Sequence, residues 1–213
     1  MRRTLGRIER YVADAPATFG WLFVLAVTTR VQRSAGRERA QLLRSQSTNL
    51  QHLSEEPTRV LAASLFWLDG RRWWPYVPPF VAVLAPAEHR LGSVRWLATG
   101  VAAHVAGTYA GQGYLRWSIR ARNAPPRLAE ARDVGVSYFL LGVAGTLSAY
   151  LPDAHRRRVR AAALAVLAIN TAIRPTFTEV GHLSAFLTGL SLSALANGRE
   201  RYPYPGTQGY ARH

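Results

Sequence analysis

The sequence WLATGVAAHVAGTYAGQGYL, residues Trp96–Leu115, runs for 20 residues without a charged side chain. A helix of about 20 apolar residues matches the roughly 30 Å thickness of the hydrocarbon core of a bilayer. Val134–Pro152 and Val180–Gly198 each lack Asp, Glu and Arg over 19 residues. The alternative, a soluble basic protein with buried helices, would need amphipathic stripes with a charged face. The three runs therefore predict membrane-spanning helices.

Three shorter charge-free runs complete the pattern, Ala15–Thr29, Trp73–Ala87 and Ala161–Ile173. Such runs can still cross a bilayer when flanking arginines extend to the headgroups. We therefore predict an all-α, polytopic membrane protein built as a six-transmembrane-helix bundle. The expected spans are residues 15–31, 73–90, 94–115, 133–152, 159–173 and 179–197. The prolines of 73–87 predict an irregular start to the second span.

The six predicted spans lie in a membrane domain of residues 15–197. Three further parts of the chain are not predicted to span, and the second of them lies inside this domain. Residues 1–14 read as a basic cytoplasmic N-terminus, 60–68 as an interfacial segment, and 198–213 as a disordered tail. Arginine totals do not decide the orientation, but the compact RRRVR sequence at 156–160 is the best cytoplasmic marker. We expect both termini in the cytoplasm and a multi-pass protein of the cell membrane.

The composition excludes several classes of function. All 27 basic residues are Arg, against 12 acidic residues, and the absence of Cys excludes disulfides, thiol nucleophiles and thiolate metal sites. The arginines flank apolar runs, so we expect anionic lipid headgroups rather than nucleic acid as their partner. We expect no cofactor, because no phosphate loop is present, and no metal, because the histidines lack ligand-like spacing.

Reactive groups inside the predicted spans are the candidates for function. With six spans, the fourth and sixth run in the same direction. Ser137 is the fourth residue of one charge-free run and His182 is the third of the other. At 1.5 Å per residue both lie about 5 Å below the same membrane face. A hydroxyl and an imidazole at one depth are what a serine nucleophile and its general base require.

Other polar residues near these spans have simpler roles. A serine in a membrane helix often only packs or bonds to its own helix, and this alternative stays open for Ser137. We expect His104 to make an interhelical hydrogen bond and Asp133 to cap the helix of Ser137. Gly135 would allow a neighbouring chain to approach closely.

Four short motifs lie around these residues: GVS at 135–137, GHLSAFLTG at 181–189, EHRLGS at 88–93, and Arg59. Together they resemble the rhomboid family of intramembrane serine proteases. The sequence 135–137 is similar to the family's G-x-S-G, and 181–189 to its A-H-x-x-G-x-x-x-G. The sequence 88–93 is similar to E-x-R-L-G-S, and Arg59 matches the arginine of the Trp-Arg motif. The resemblance implies a divergent, actinobacterial-type member with Ser137 as nucleophile and His182 as general base. We expect Arg59, Glu88 and Arg90 to order the interfacial segment against the second helix.

The chain departs from the family pattern at the nucleophile and at the oxyanion site. Tyr138 replaces the glycine after the nucleophile, and Ala185 replaces the first glycine after the histidine. Arg72 and Tyr76 stand where the family places its oxyanion His and Asn, and both can donate hydrogen bonds. Losing one oxyanion donor typically costs about 3 kcal/mol of transition-state stabilisation.

Two functions therefore stay open. One is an intramembrane serine protease that cleaves the transmembrane segment of a single-span substrate with a Ser–His dyad. Arg72, Tyr76 and Gly135 are then the candidates for oxyanion or substrate binding. The other is a catalytically inactive rhomboid-like protein that binds the transmembrane helices of client proteins.

Overall fold

The structure, a computed structural model, describes residues 2–196. Its α-helices are, in order, α1 Arg2–Ala13, α2 Pro16–Ser34, α3 Arg39–Ser45, α4 Leu50–Glu55, α5 Pro57–Ser64, α6 Val77–Pro79, α7 Ala85–Leu91, α8 Ser93–Arg120, α9 Val136–Leu147, α10 Asp153–Ile173 and α11 Phe177–Ser191. No β-strand occurs among these residues. The prediction of an all-α fold is confirmed. The predicted disordered tail, 198–213, lies outside the described residues.

Each of the six charge-free runs falls on helical structure, while α1, α3, α4 and α5 lie outside these runs. The predicted irregularity of the second run is present: a 3₁₀ turn at Trp74–Tyr76 leads through α6 into a π-helical turn at Phe80–Leu84 and then α7. Three prolines fall before or within these turns, and proline removes the backbone donor that a regular α-helix needs. Over residues 2–196, no helix combines the length and the mean hydropathy expected of a membrane span.

Four aromatic side chains from separate elements form the centre of the hydrophobic core. Phe139 of α9 lies edge-on to Trp21 of α2 at 4.6 Å and to Trp96 of α8 at 4.8 Å, between ring centroids. Phe80, from the π-helical turn, packs on Trp21 at 5.0 Å. Such aromatic contacts add about 0.5–1.5 kcal/mol each beyond area burial. The cluster fixes α9 against α2 and α8, and Ser137 lies only two residues before Phe139.

Helices α8, α9 and α11 pack closely because glycines line their contacts. A Cβ on Gly189 would lie 1.9 Å from the carbonyl oxygen of Gly142, and one on Gly107 would lie 2.9 Å from that of Gly181. The contacts of α9 with α11 advance together along both helices, from Ser137–His182 to Gly142–Gly189. Helices α9 and α11 therefore run in the same direction, as expected for the fourth and sixth apolar runs.

Glu88 and Arg59 support the scaffold, but not through the contacts expected from the sequence. The carboxylate of Glu88 is buried and accepts hydrogen bonds from the backbone N–H groups of Ala17 and Thr18, at 3.0 and 2.7 Å. It therefore caps the start of α2, where free N–H groups favour an anion. Arg59 instead pairs with Glu56 and donates to the Ser45 carbonyl. The expected ordering of segment 60–68 by Arg59 and Glu88 was wrong.

Candidate active site

Ser137 and His182 meet at the contact between α9 and α11. The Oγ atom of Ser137 lies 2.9 Å from Nε2 of His182, within hydrogen-bond distance. Both residues are half-buried. The structure therefore brings together the two side chains that the sequence places at one depth, while their catalytic role stays a prediction.

The start of α9 holds Ser137 in place through the backbone. The N–H of Gly135 donates to the carbonyl of Ser64 at 3.1 Å, which ties α9 to the end of α5. A Cβ on Gly135 would lie 2.1 Å from the ring of His104, so only glycine fits against that imidazole. The expected close approach at Gly135 is therefore made by the side chain of His104.

Asp133 does not cap α9, contrary to the prediction, because α9 begins after Gly135 without a side-chain cap. The buried carboxylate instead accepts hydrogen bonds from Tyr138 Oη at 3.0 Å, Gln112 Nε2 at 3.1 Å and Thr48 Oγ1 at 3.4 Å. A buried charge requires such donors, since burial without them is costly. The network joins the segment before α4, helix α8 and the residue that follows Ser137.

Tyr138 forms one wall beside His182. Its ring is fully buried and lies edge-on to the imidazole, with centroids 5.4 Å apart. A Cβ on Gly181 would lie 2.6 Å from this ring, so the glycine before His182 makes room for the tyrosine. Tyr138, which follows Ser137, therefore packs on the imidazole of His182.

The other ring nitrogen of His182 faces a carboxylate. Nδ1 lies 3.6 Å from Oε2 of Glu179, one turn earlier on α11. Neither Glu179 nor Tyr138 was predicted from the sequence as a site residue. The signal for Glu179 was the i, i+3 spacing to His182, which places both on one face of a helix.

A second Ser–His pair lies deeper in the protein. Ser64 Oγ lies 3.2 Å from Nε2 of His104, but the same nitrogen lies 3.0 Å from the Leu61 carbonyl. Ser64 Oγ also donates to this carbonyl at 3.1 Å. Because Leu61 belongs to α5 and His104 to α8, the expected interhelical hydrogen bond of His104 is confirmed.

The candidates for oxyanion or substrate binding do not gather around Ser137. Arg72 is exposed, and Tyr76 packs against the hydrophobic core cluster. The N–H of Gly135 already donates to Ser64, so it is not free to receive an oxyanion. The first N–H groups of an α-helix have no acceptor within that helix, and the N–H of Ser137 is among those of α9. They supply positive potential beside the hydroxyl.

A polar cleft of about 250 Å³ lies elsewhere on the molecule. It is lined by residues of α3, α4 and the segment between them, including Arg44 and His52, and by Glu130. Neither Ser137 nor His182 lines it. The cleft is therefore separate from the Ser–His pair.

The fold and the site together define a class of protein. Residues 2–196 are all-helical, and a serine pairs with a histidine across two parallel helices. The family profile described as rhomboid-like protein matches residues 10–202, and the chain belongs to this family. Membership indicates a membrane protein. Comparison with curated proteins and with solved structures gave no significant match.

Proposed function

We propose that this chain is an intramembrane serine protease that uses Ser137 as nucleophile and His182 as general base. The observation that carries the proposal is the 2.9 Å separation of Ser137 Oγ and His182 Nε2. Proton transfer to a base requires this proximity. Both side chains lie within residues 10–202, the range that the rhomboid-like family profile matches.

The reaction follows from the pair. His182 Nε2 takes the proton of Ser137 Oγ as the oxygen attacks the scissile carbonyl carbon. The resulting oxyanion lies beside the first-turn N–H groups of α9. The carbon–nitrogen bond then breaks, and His182 gives the proton to the leaving amine. Water then attacks the acyl ester while His182 takes a proton from it. His182 returns this proton to Ser137 Oγ as the ester bond breaks, which releases Ser137.

The proposed substrate is the transmembrane segment of a single-span membrane protein. A helical substrate hides its scissile carbonyl behind backbone hydrogen bonds, so it must unwind near the membrane face before attack. We place the protein in the cell membrane as a six-span, multi-pass protein with both termini in the cytoplasm. Its excess of arginine is suited to anionic headgroups.

Purified protein and single-span reporter proteins, reconstituted together in liposomes, test the proposal. We expect cleavage by the wild type and none by Ser137→Ala or His182→Ala. Ser64→Ala is the matched control and is expected to cleave normally, because Ser64 lies in the other pair. Cleavage by Ser137→Ala at the wild-type rate would exclude the mechanism.

The second proposal is a catalytically inactive rhomboid-like protein that binds transmembrane helices of clients. The positions of Arg72, exposed, and Tyr76, packed in the core cluster, favour it, because neither lies in contact with Ser137 among the described interactions. Client recovery in detergent separates the two. A binding protein would retain the same clients at full length in the wild type and in Ser137→Ala, whereas a protease would retain them only in the variant.

A further inference from the structure

Glu179 lies where a third member of the Ser–His pair would lie. Its Oε2 is 3.6 Å from His182 Nδ1, on the side of the ring opposite to Ser137. The two side chains are 20% and 25% exposed, which shields the contact from most of the solvent. This distance is typical of an ion pair and only a few tenths of an ångström beyond a hydrogen bond.

The simplest structural role for Glu179 is already filled by other groups. Thr176 and Glu179 form the T-x-x-E pattern of a capping box, in which the glutamate would accept from the N-cap N–H. In this chain the N–H of Thr176 donates to the Arg174 carbonyl at 2.7 Å. The hydroxyl of Thr176 still caps the N–H of Glu179 at 3.3 Å. The carboxylate is therefore not needed for the cap.

The backbone of Glu179 is held from both sides. Its N–H is capped by Thr176, and its carbonyl accepts from Thr171 Oγ1 of α10 at 3.3 Å. The start of α11 also favours a negative charge, because the helix dipole is positive there. The backbone that carries the carboxylate is thus anchored one helical turn from His182.

The chemistry of the base requires one tautomer of His182. To take the Ser137 proton, Nε2 must carry a free lone pair, so the ring proton must sit on Nδ1. We propose that Glu179 is a positioning residue whose carboxylate pairs with the Nδ1–H group of His182. It thereby fixes this tautomer and stabilises the imidazolium that forms. The inference rests on the proposed hydrolytic function. It extends the Ser–His dyad to a Ser137–His182–Glu179 triad.

A labelling experiment tests the effect of Glu179 on reactivity. The full-length protein in detergent is treated with a serine-directed fluorophosphonate, and the rate of labelling is measured. We expect Glu179→Ala to slow labelling at least about tenfold, since the orienting acid of a triad governs the competence of the base. Glu179→Asp is expected to restore part of the rate. The apparent affinity for the probe should stay unchanged, because Glu179 faces Nδ1 of His182, whereas Ser137 faces Nε2.

Thr146→Val is the matched control for loosening of the helix pair. Thr146 Oγ1 donates to the Gly189 carbonyl at 2.7 Å and so joins α9 to α11 without touching His182. We expect this variant to lose stability but label close to the wild-type rate. Wild-type labelling by Glu179→Ala, or equal slowing by Thr146→Val, would overturn the inference.

A second readout does not depend on activity. In protein labelled with ¹⁵N-histidine, the signals of His182 are identified by their loss in His182→Gln. We expect a protonated Nδ1 in the wild type and a mixture of tautomers in Glu179→Ala. An unchanged Nδ1–H tautomer in Glu179→Ala would overturn the role of Glu179. Absence of any labelling of the wild type would instead count against the proposed protease function.

Discussion

The two Ser–His pairs of this chain have similar distances but opposite environments. Ser137 and His182 are 2.9 Å apart, and Ser64 and His104 are 3.2 Å apart. The Leu61 carbonyl lies 3.0 Å from His104 Nε2 and can only accept, so this nitrogen must carry the proton. It then has no lone pair for a proton from Ser64. A short Ser–His distance alone therefore does not define a nucleophile.

What separates the pairs is the group at the far side of each imidazole. His182 Nδ1 faces the carboxylate of Glu179 at 3.6 Å, whereas His104 Nδ1 lies 3.4 Å from the Thr108 hydroxyl. A carboxylate favours an Nδ1 proton, while a hydroxyl can donate to a bare Nδ1. The buried pair is arranged for stability, whereas the half-buried pair has the geometry that the proposed proton transfer requires.

Replacing either histidine by alanine, in two separate variants, gives the largest expected difference in labelling and stability. His182→Ala should abolish fluorophosphonate labelling with little loss of stability, because its ring is half-buried. His104→Ala should cost about 2–4 kcal/mol, since its side chain is 1% exposed and fills the core. Labelling per folded molecule and denaturation in detergent measure the two effects. Loss of labelling by folded His104→Ala alone would reverse the assignment of the two pairs.

The helix contact that presents His182 to Ser137 should be the next most sensitive feature. In Gly189→Ala the new Cβ would overlap the Gly142 carbonyl at 1.9 Å, so α9 and α11 must separate. We expect a loss of about 1–3 kcal/mol and slower labelling. Gly113→Ala is the control, because nothing lies within 4 Å of its Cβ. Equal melting temperatures for the two variants would contradict the close packing.

A smaller effect is expected from the wall beside His182. Tyr138→Phe keeps the ring against the imidazole but removes the hydroxyl that donates to Asp133 at 3.0 Å. The carboxylate keeps other donors, so we expect a loss of about 1–2 kcal/mol and a modest decrease in labelling rate. Gln112→Ala removes another donor to the same carboxylate from α8 and should match the stability loss while labelling normally. A larger loss of labelling rate in Gln112→Ala than in Tyr138→Phe would argue against an effect of Tyr138 on the reactivity of the Ser137–His182 pair.

The smallest effect should come from the serine of the buried pair. Ser64→Ala removes a hydroxyl that donates to Leu61, but the Leu61 carbonyl keeps His104 as a donor. We expect a loss of about 0.5–1 kcal/mol and unchanged labelling, measured by denaturation and by probe incorporation. Reduced labelling in a folded Ser64→Ala would mean that the two pairs are coupled.

The sequence predicted the features that depend on spacing along one helix. Charge-free runs gave the all-α fold, and the positions of Ser137 and His182 within their runs predicted that they would meet. Prolines predicted the irregular second run. These inferences succeed because helix formation and the rise per residue depend on local sequence.

Contacts between distant segments could not be predicted in the same way. Asp133 was expected to cap its own helix, but its partners include Thr48, 85 residues earlier. Glu88 was expected beside segment 60–68 and instead caps α2. A carboxylate near a helix start has several donors within reach, and only the packed structure decides among them. The same ambiguity made Glu179 resemble a capping residue.

The most direct test of the central claim is to map where a fluorophosphonate attaches. The wild-type protein is labelled in detergent, digested, and examined by mass spectrometry for adducts on the peptides of Ser137 and Ser64. We expect the adduct on Ser137, lost in His182→Ala and kept in His104→Ala. An adduct on Ser64, or no adduct on Ser137, would contradict the account.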